Sequence, residues 1–447
     1  YFMKNVTIVG GGLVGSILSC YLSKRGHQVT VFERRADPRV GEAERGRSIN
    51  LALSDRGWRS LEKIGLAEKV RPIAIPMKGR MIHHLDNTTT YQQYGNDGQA
   101  IYSVSRGDLN KLMIEAADEF PHVDFKFNQR CVDVNFDKTT LTFRDTKTNT
   151  ETVHEAETVF GADGAFSEVR YAMQRTPNFN FSQTYEAYGY KELHIPDKDG
   201  LWQLEKNALH IWPRTSFMMI ALPNMDGSFT CTLFAPLEGE NSFASIKTDD
   251  DIRAYFQKHF ASASELIPTL VEDFKKNPTS TLVTIRSYPW NYRNVCLIGD
   301  AAHGIVPFFG QGMICGFEDV RVLDELMDKH ADLGELFSAF GKSRKPNSDA
   351  IAELALNNYI EMRDLTARPE FQLRLKIEKR IAAAYPDQFQ TSYSMVTFSH
   401  RPYSEALTKS KKQSQLLDEI MRLNNIADTW ESEEVLTIAK KWIDANA

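Results

Sequence analysis

The sequence predicts an α/β chain in three parts: a Rossmann-type dinucleotide-binding domain, an antiparallel β-sheet domain and a C-terminal helical region. Three observations carry this. A β-branched run, Val6 to Val9, is followed at once by Gly10-Gly11-Gly12-Leu13-Val14-Gly15. Two later apolar runs end in glycine–aspartate turns, Gly161-Ala162-Asp163-Gly164 and Gly299-Asp300-Ala301-Ala302-His303. Between these turns short strand-like runs alternate with turn residues, and after Phe317 apolar positions recur at helical spacing. The expected boundaries are residues 1–180 and 286–330 for the dinucleotide-binding domain, 181–285 for the sheet domain and 331–447 for the helical region.

The first strand leads into a helix with Leu13, Ile17, Leu18, Tyr21 and Leu22 on one face, then a second strand, Gln28 to Phe32, ending in Glu33. In this βαβ unit Gly10 permits the tight turn, Gly12 lets a pyrophosphate approach the backbone, and Gly15 lets helix and strand pack closely. The helix presents its positive end to the phosphates. Glu33 lies 18 residues after Gly15, where a carboxylate accepts from ribose hydroxyls and suits an unphosphorylated ribose, hence FAD or NAD.

Arg45, Arg47, Ser48 and Asn50 follow the second strand, and Ser54 or Asp55 caps a helix carrying Trp58, Leu61 and Ile64. Gly79 to His83 reads as a strand, Asp108 to Ala117 as a helix, and short strands follow around residues 123–127, 132–136 and 140–143, with a hairpin turn after Phe143. In the sheet domain, Ala208 to Trp212, Phe217 to Leu222 and Phe229 to Phe234 form a meander, followed by a helix with Ile252, Tyr255 and Phe256. Amphipathic helices end the chain, near 407–423 and 430–443.

Composition narrows the function. The 447 residues are 42% hydrophobic and 25% charged, and 53 basic against 59 acidic side chains give a net charge of -6. No basic footprint for nucleic acid is present. No run of 18 apolar residues marks a membrane anchor, and the apolar start is a strand, not a signal peptide. Tyr1 and Phe2 precede the first Met and are set aside. The five cysteines are scattered, with no CxxC pair, so reduced thiols, a cytoplasmic location and no metal site are expected.

In the second motif Asp163 can bind backbone amides or cofactor oxygens, and Arg170 can pair with it or with a phosphate. In the third, Asp300 is placed to accept from a ribityl chain. Downstream, Pro307-Phe308-Phe309-Gly310-Gln311-Gly312-Met313 offers Gly310 and Gly312 for close approach to an isoalloxazine ring. The next helix can aim its amides at the edge where reduced flavin carries negative charge. His303 reads as a packing and hydrogen-bonding residue before a catalytic one.

FERR at Phe32 to Arg35, GRSINLALS at Gly46 to Ser54, YGYKEL at Tyr188 to Leu193, ALHIWPR at Ala208 to Arg214, IALPN at Ile220 to Asn224, PFFGQGM at Pro307 to Met313 and YSMVTFS at Tyr393 to Ser399 together resemble the kynurenine 3-monooxygenase family. That family is a branch of the single-component aromatic hydroxylases related to p-hydroxybenzoate hydroxylase. The resemblance implies that FAD is reduced by NADPH, that O2 adds at flavin C4a, and that the hydroperoxide hydroxylates L-kynurenine to 3-hydroxykynurenine in tryptophan breakdown. It implies Arg80 and Tyr94 for the substrate carboxylate, Asn358 for carboxylate or ammonium, Tyr393 on the polar rim, and Phe308 and Met362 against the ring. Further cofactor contacts are expected from Leu13, Val14, Arg35, Leu51, Arg106, Met313 and Ile314. The family carries Asn where this chain has Ile314, so a side-chain contact to the flavin is expected to be lost there. A monomer or weak homodimer is expected. Another ring hydroxylase, a flavin amine oxidase and a non-enzymatic binding protein are the alternatives.

Overall fold

A computed structural model describes residues 4–40 and 50–446. The stretch 41–49, with Arg45, Arg47 and Ser48, lies outside the described residues, as do Tyr1 to Met3.

Among the described residues, six strands form the first sheet, in the order Asn291–Tyr292, Val295–Leu297, Thr158–Gly161, Asn5–Val9, Gln28–Phe32 and Val123–Lys126. All pairings but the outermost, Asn291–Tyr292 with Val295–Leu297, are parallel. These strands are near-continuous apolar runs because helices cover them. Helix Leu13–Lys24 packs Ile17, Leu18 and Leu22 onto Ile8 and Val31, and helix Gly312–Met327 adds Phe317 and Val320 to the same core. The order brings three strands side by side whose C-terminal ends lead into the three glycine motifs. Ligands of doubly wound sheets bind at such ends.

A seven-stranded sheet runs Ser280–Tyr288, Asn180–Ile195, Phe229–Pro236, Met218–Pro223, Ala208–Pro213, Gly79–His83, Thr89–Gln93. The meander over 208–236 is antiparallel as expected. Two strands come from earlier in the chain, and Gly79–His83 pairs parallel with Ala208–Pro213. Side chains alternate along these strands. Leu193, Trp212, Phe229 and Cys231 face a core covered by helix Asp249–His259, with Ile252 and Phe256. On the opposite face Ile82, Leu209, Leu222 and Phe234 meet Phe308, Tyr359 and Met362.

The C-terminal region is helical. Helix Leu333–Ile360 passes into a π-helical turn, Glu361–Leu365, followed by helices Pro369–Ala384, Ser392–Thr397, Tyr403–Met421 and Glu433–Asn446. Ile377 and Ile381 anchor the first of these to Leu416, Ile420, Val435 and Ile443. No described helix is long and apolar enough to cross a membrane. All five cysteines are buried and free.

Candidate active site

The three glycine motifs and the apolar face of the seven-stranded sheet enclose one cavity of about 610 Å3, within the usual range of small-molecule sites. Its walls include Gly10, Gly12, Leu13, Val14, Glu33, Arg35, Leu51, Arg106, Asp163, Asp300, Gly310, Gly312 and Met313 on the cofactor side. Arg80, Tyr94, Phe308, Met362 and Tyr393 line it on the substrate side.

The phosphate loop is built as its sequence requires. Gly10 has φ +105°, and a Cβ there would lie 2.4 Å from the Ala162 carbonyl oxygen. A Cβ on Gly15 would lie 1.9 Å from the Gly10 carbonyl oxygen. Gly15 therefore sets the approach of helix to strand and does not line the cavity. Around Gly12 no described atom beyond its chain neighbours comes within 4 Å of a Cβ position, leaving room for a phosphate group before the first amides of helix Leu13–Lys24. Glu33 accepts from the Gly11 N–H and the Arg35 N–H, both at 2.8 Å. This fixes its carboxylate at the cavity wall.

Asp163 binds its own chain. It accepts from Ser167 Oγ at 2.5 Å and from the Glu168 N–H at 2.8 Å, at the start of helix Glu168–Met173. Arg170 makes no ion pair with Asp163. It donates to the carbonyls of Ala301 at 2.9 Å and Ala165 at 2.6 Å, tying the second motif to the third. Asp300 takes no hydrogen bond from a described residue. Burial raises its carboxyl, and Arg106 at the cavity mouth counters that. It is thus an acceptor facing open space.

Gly310 sits at φ +65°, the left-handed region that favours glycine, and turns the chain into helix Gly312–Met327. The first amides of that helix have no intrahelical acceptor and begin at the cavity wall. Ile314 does not follow Gly312 and Met313 to the wall. Its side chain is wholly buried, and a Cβ on Gly57 would lie 2.6 Å from its Cδ1. The expectation of a lost flavin contact at this position is therefore corrected: Ile314 is a core residue. Ile314→Asn should lower stability by about 1–3 kcal/mol through an unpartnered buried amide. It should leave FAD dissociation no tighter, as flavin release during thermal and urea titrations would show.

Beneath the third motif lies a buried ionic network that sequence reasoning missed. Asp319 accepts from Arg344 Nε at 2.6 Å, from the Gly299 N–H at 3.2 Å and from His303. Glu318 accepts from Arg344 at 2.8 Å and from Arg56 at 3.2 Å. Arg56 also donates to the carbonyls of Val396, Met395 and Arg401. Burial opposes charge on His303, but the Asp319 carboxylate overcomes it and raises the imidazole well above its ordinary value. His303 is thereby held against Asp319 within the core. Adjacent acids on an apolar helix, Glu318-Asp319, were the available signal, since buried carboxylates require buried cations.

On the substrate side, Arg80 rises from strand Gly79–His83 beside two tyrosines. Its guanidinium carbon is 5.5 Å from the Tyr94 ring centre and 5.7 Å from that of Tyr393. The two rings stack at 5.0 Å and 10°. Arg80 has no ion-pair partner among the described residues, and its Nε is buried without an acceptor. Phe308 stacks on Tyr359 at 3.9 Å and meets the edge of Phe234 at 4.8 Å. Asn358 departs from expectation: it is off the cavity wall, and its Nδ2 donates to the Phe308 carbonyl at 2.6 Å. It holds the Phe308 turn in place.

Residues 3–332 match the FAD binding domain family. Over 435 residues the chain is 50% identical to a kynurenine 3-monooxygenase of Flavobacterium psychrophilum, covering 97% of both chains. It is 43% identical over 438 residues to that of Dictyostelium discoideum, covering 94% of both. The chain belongs to the kynurenine 3-monooxygenase family. Family membership makes the cavity an FAD site, and its open phosphate loop, fixed Glu33 and unpartnered Asp300 suit that cofactor. Among solved structures the fold resembles 2-methyl-3-hydroxypyridine-5-carboxylic acid oxygenase, with TM-score 0.66 and 20% identity over 82% of this chain and 94% of that one. It also resembles P. aeruginosa PqsL in complex with 2-aminobenzoylacetate, with TM-score 0.65 and 20% identity over 81% and 97%.

Proposed function

We propose that this chain hydroxylates L-kynurenine to 3-hydroxykynurenine with FAD as resident cofactor and NADPH and O2 as co-substrates, within tryptophan breakdown. The observation that carries the reading is Arg80: its Nε is buried without an acceptor, it has no ion-pair partner among the described residues, and it lies beside two tyrosines and lines the same cavity as the dinucleotide loop. Such a group is a ready receptor for the carboxylate of an amino acid.

FAD would be held by the amides after Gly12, by Glu33, Arg35 and Arg106, by Asp300 and by the Gly310–Met313 turn, and would supply the oxygen activation that no side chain can. The chain orients the substrate. Arg80 takes the carboxylate, and Tyr94 and Tyr393 add hydroxyls and close the rim. Phe308 and Met362 present apolar surface to the ring and exclude water. The amino group of kynurenine already activates C3, so no strong base is needed. A reducing cytoplasm suits five buried free thiols, and a monomer or weak homodimer is the proposed state.

NADPH oxidation should rise on adding kynurenine, with hydroxykynurenine formed in step. NADPH oxidation indifferent to kynurenine would overturn the reading. Stimulation without hydroxylated product would point to another ring hydroxylase substrate, and turnover of an amine without NADPH to an oxidase.

A further inference from the structure

Helix Pro369–Ala384 has its back to the C-terminal core through Ile377 and Ile381. It is braced there by Arg374, which donates to Asp418 at 2.5 Å and to Ser414 Oγ at 2.7 Å. Two consecutive residues leave the helix on the side of the substrate cavity. Neighbours in a helix diverge by about 100°, so the pair reaches two different elements. Glu378 Oε1 accepts from the Ser392 N–H at 3.1 Å. That amide belongs to the first residue of helix Ser392–Thr397, which has no intrahelical acceptor for it, and a carboxylate there suits the helix dipole. Tyr393 is the next residue. Lys379 Nζ donates to the Gln93 carbonyl at 2.5 Å. Thr89–Gln93 is an edge strand. Tyr94 N–H donates to the Lys78 carbonyl, so the neighbouring Gln93 carbonyl points away from the sheet and needs a donor from elsewhere. Tyr94 is the next residue here too.

We propose that Glu378 and Lys379 are positioning residues for the substrate carboxylate: they clamp the backbone beside Tyr393 and beside Tyr94, and so set the two rings that wall Arg80. Two surface-type side chains on one helix turn each find a backbone group one residue away from a different cavity tyrosine. The two tyrosines stack on each other beside the same guanidinium, and Tyr393 also stacks on Phe309. Burial, reinforced by Glu361, pushes the Glu378 carboxyl up to about 7, so its role as an acceptor does not depend on its charge. Burial and the nearby Arg80 lower the Lys379 ammonium.

The inference rests on the kynurenine reading and is tested in the full-length holoenzyme with Glu378→Ala, Glu378→Gln and Lys379→Met. FAD content, kcat and KM would be measured for kynurenine, and Kd by flavin spectral perturbation for the decarboxylated amine analogue. Glu378→Ala and Lys379→Met should each raise the kynurenine KM about five- to thirtyfold, with kcat and FAD content near wild type. Affinity for the analogue should move less than about twofold, and Glu378→Gln should restore most of the kynurenine affinity, because an amide oxygen still accepts. The sign is diagnostic. A purely Coulombic influence on a substrate carboxylate would raise KM on losing Lys379 but lower it on losing Glu378, whereas loss of positioning raises both. If Glu378→Ala does not fold, Glu378→Gln and Lys379→Met decide. Unchanged KM in Lys379→Met, a lowered KM in Glu378→Ala, or equal losses for kynurenine and the analogue would overturn the clamp while the kynurenine reading stands. A wild type that neither binds nor turns over kynurenine would overturn that reading and the clamp with it.

Discussion

Gly12→Val is expected to purify colourless while the apoprotein remains as stable as the wild-type apoprotein. Gly12 has φ -73° and ψ -169°, a conformation open to any residue. No described atom beyond its chain neighbours stands within 4 Å of its missing Cβ. A Cβ there meets no described atom beyond its chain neighbours, and the stability change should stay within about 0.5 kcal/mol. The side chain instead fills the space before the amides of Leu13 and Val14, where the FAD pyrophosphate must approach backbone. Gly15 is the contrasting position. A Cβ at 1.9 Å from a carbonyl oxygen forces helix and strand apart, so Gly15→Ala should cost stability with or without cofactor. The ratio of flavin absorbance to protein absorbance, with thermal unfolding of deflavinated samples, separates the two effects. A yellow, fully loaded Gly12→Val protein would refute the phosphate-loop assignment.

Arg80→Ala should raise the KM for kynurenine by about ten- to several-hundred-fold. A charge-assisted pair contributes about 1.5–3 kcal/mol, leaving a buried carboxylate unpaired costs at least as much, and 1.4 kcal/mol is tenfold. FAD content should not change, because Arg80 sits on the far wall from the phosphate loop's strand, on Gly79–His83 of the other sheet. Nor should the fold suffer greatly, since the guanidinium has no salt bridge among the described residues. Arg80→Lys should recover only part of the affinity, because a point charge does not reproduce a planar fork that can take a carboxylate through two parallel hydrogen bonds. The decarboxylated analogue should bind wild type poorly and lose little more in Arg80→Ala. Steady-state NADPH oxidation with product analysis measures all of these. An unchanged KM would move the carboxylate to another cation, with Arg106 at the cavity mouth the first to test.

Much of this arrangement was legible in the sequence because it is local. The glycine motifs act within a few residues of their strands, so the βαβ unit, the meander over 208–236 and the long helices could be read from periodicity. What escaped reading depends on distant partners. Thr89–Gln93 is polar throughout and buries little, so nothing in TTYQQ distinguishes an edge strand from a loop until Gly79–His83 lies beside it. Strand Asn180–Ile195 exposes many of the side chains in its first half, which hides its alternation. At the site, residue types alone could not separate a side chain that touches a ligand from one that holds such a residue. Asn358 and Ile314 carried the chemistry or the position of contacts, yet one props the Phe308 carbonyl and the other packs on Gly57. Arg344 and Arg56 gave no local sign of burial, because their acids lie on another helix.

The neighbouring parallel strands Val295–Leu297, Thr158–Gly161 and Asn5–Val9 also set a timetable for biogenesis. Pairing Asn5–Val9 with Thr158–Gly161 closes a loop of about 150 residues, and adding Val295–Leu297 closes another of similar length, so the cofactor-binding edge has high contact order. A chain leaving the ribosome from its N-terminus can form the first βαβ unit early, yet it cannot complete a flavin-retaining edge before residue 300 has emerged. Until then the apolar strand Thr158–Gly161 lacks one neighbour and presents an unpaired flank, the kind of surface that draws chaperones or aggregates. Flavin supply during expression can therefore rescue only chains that have passed that point.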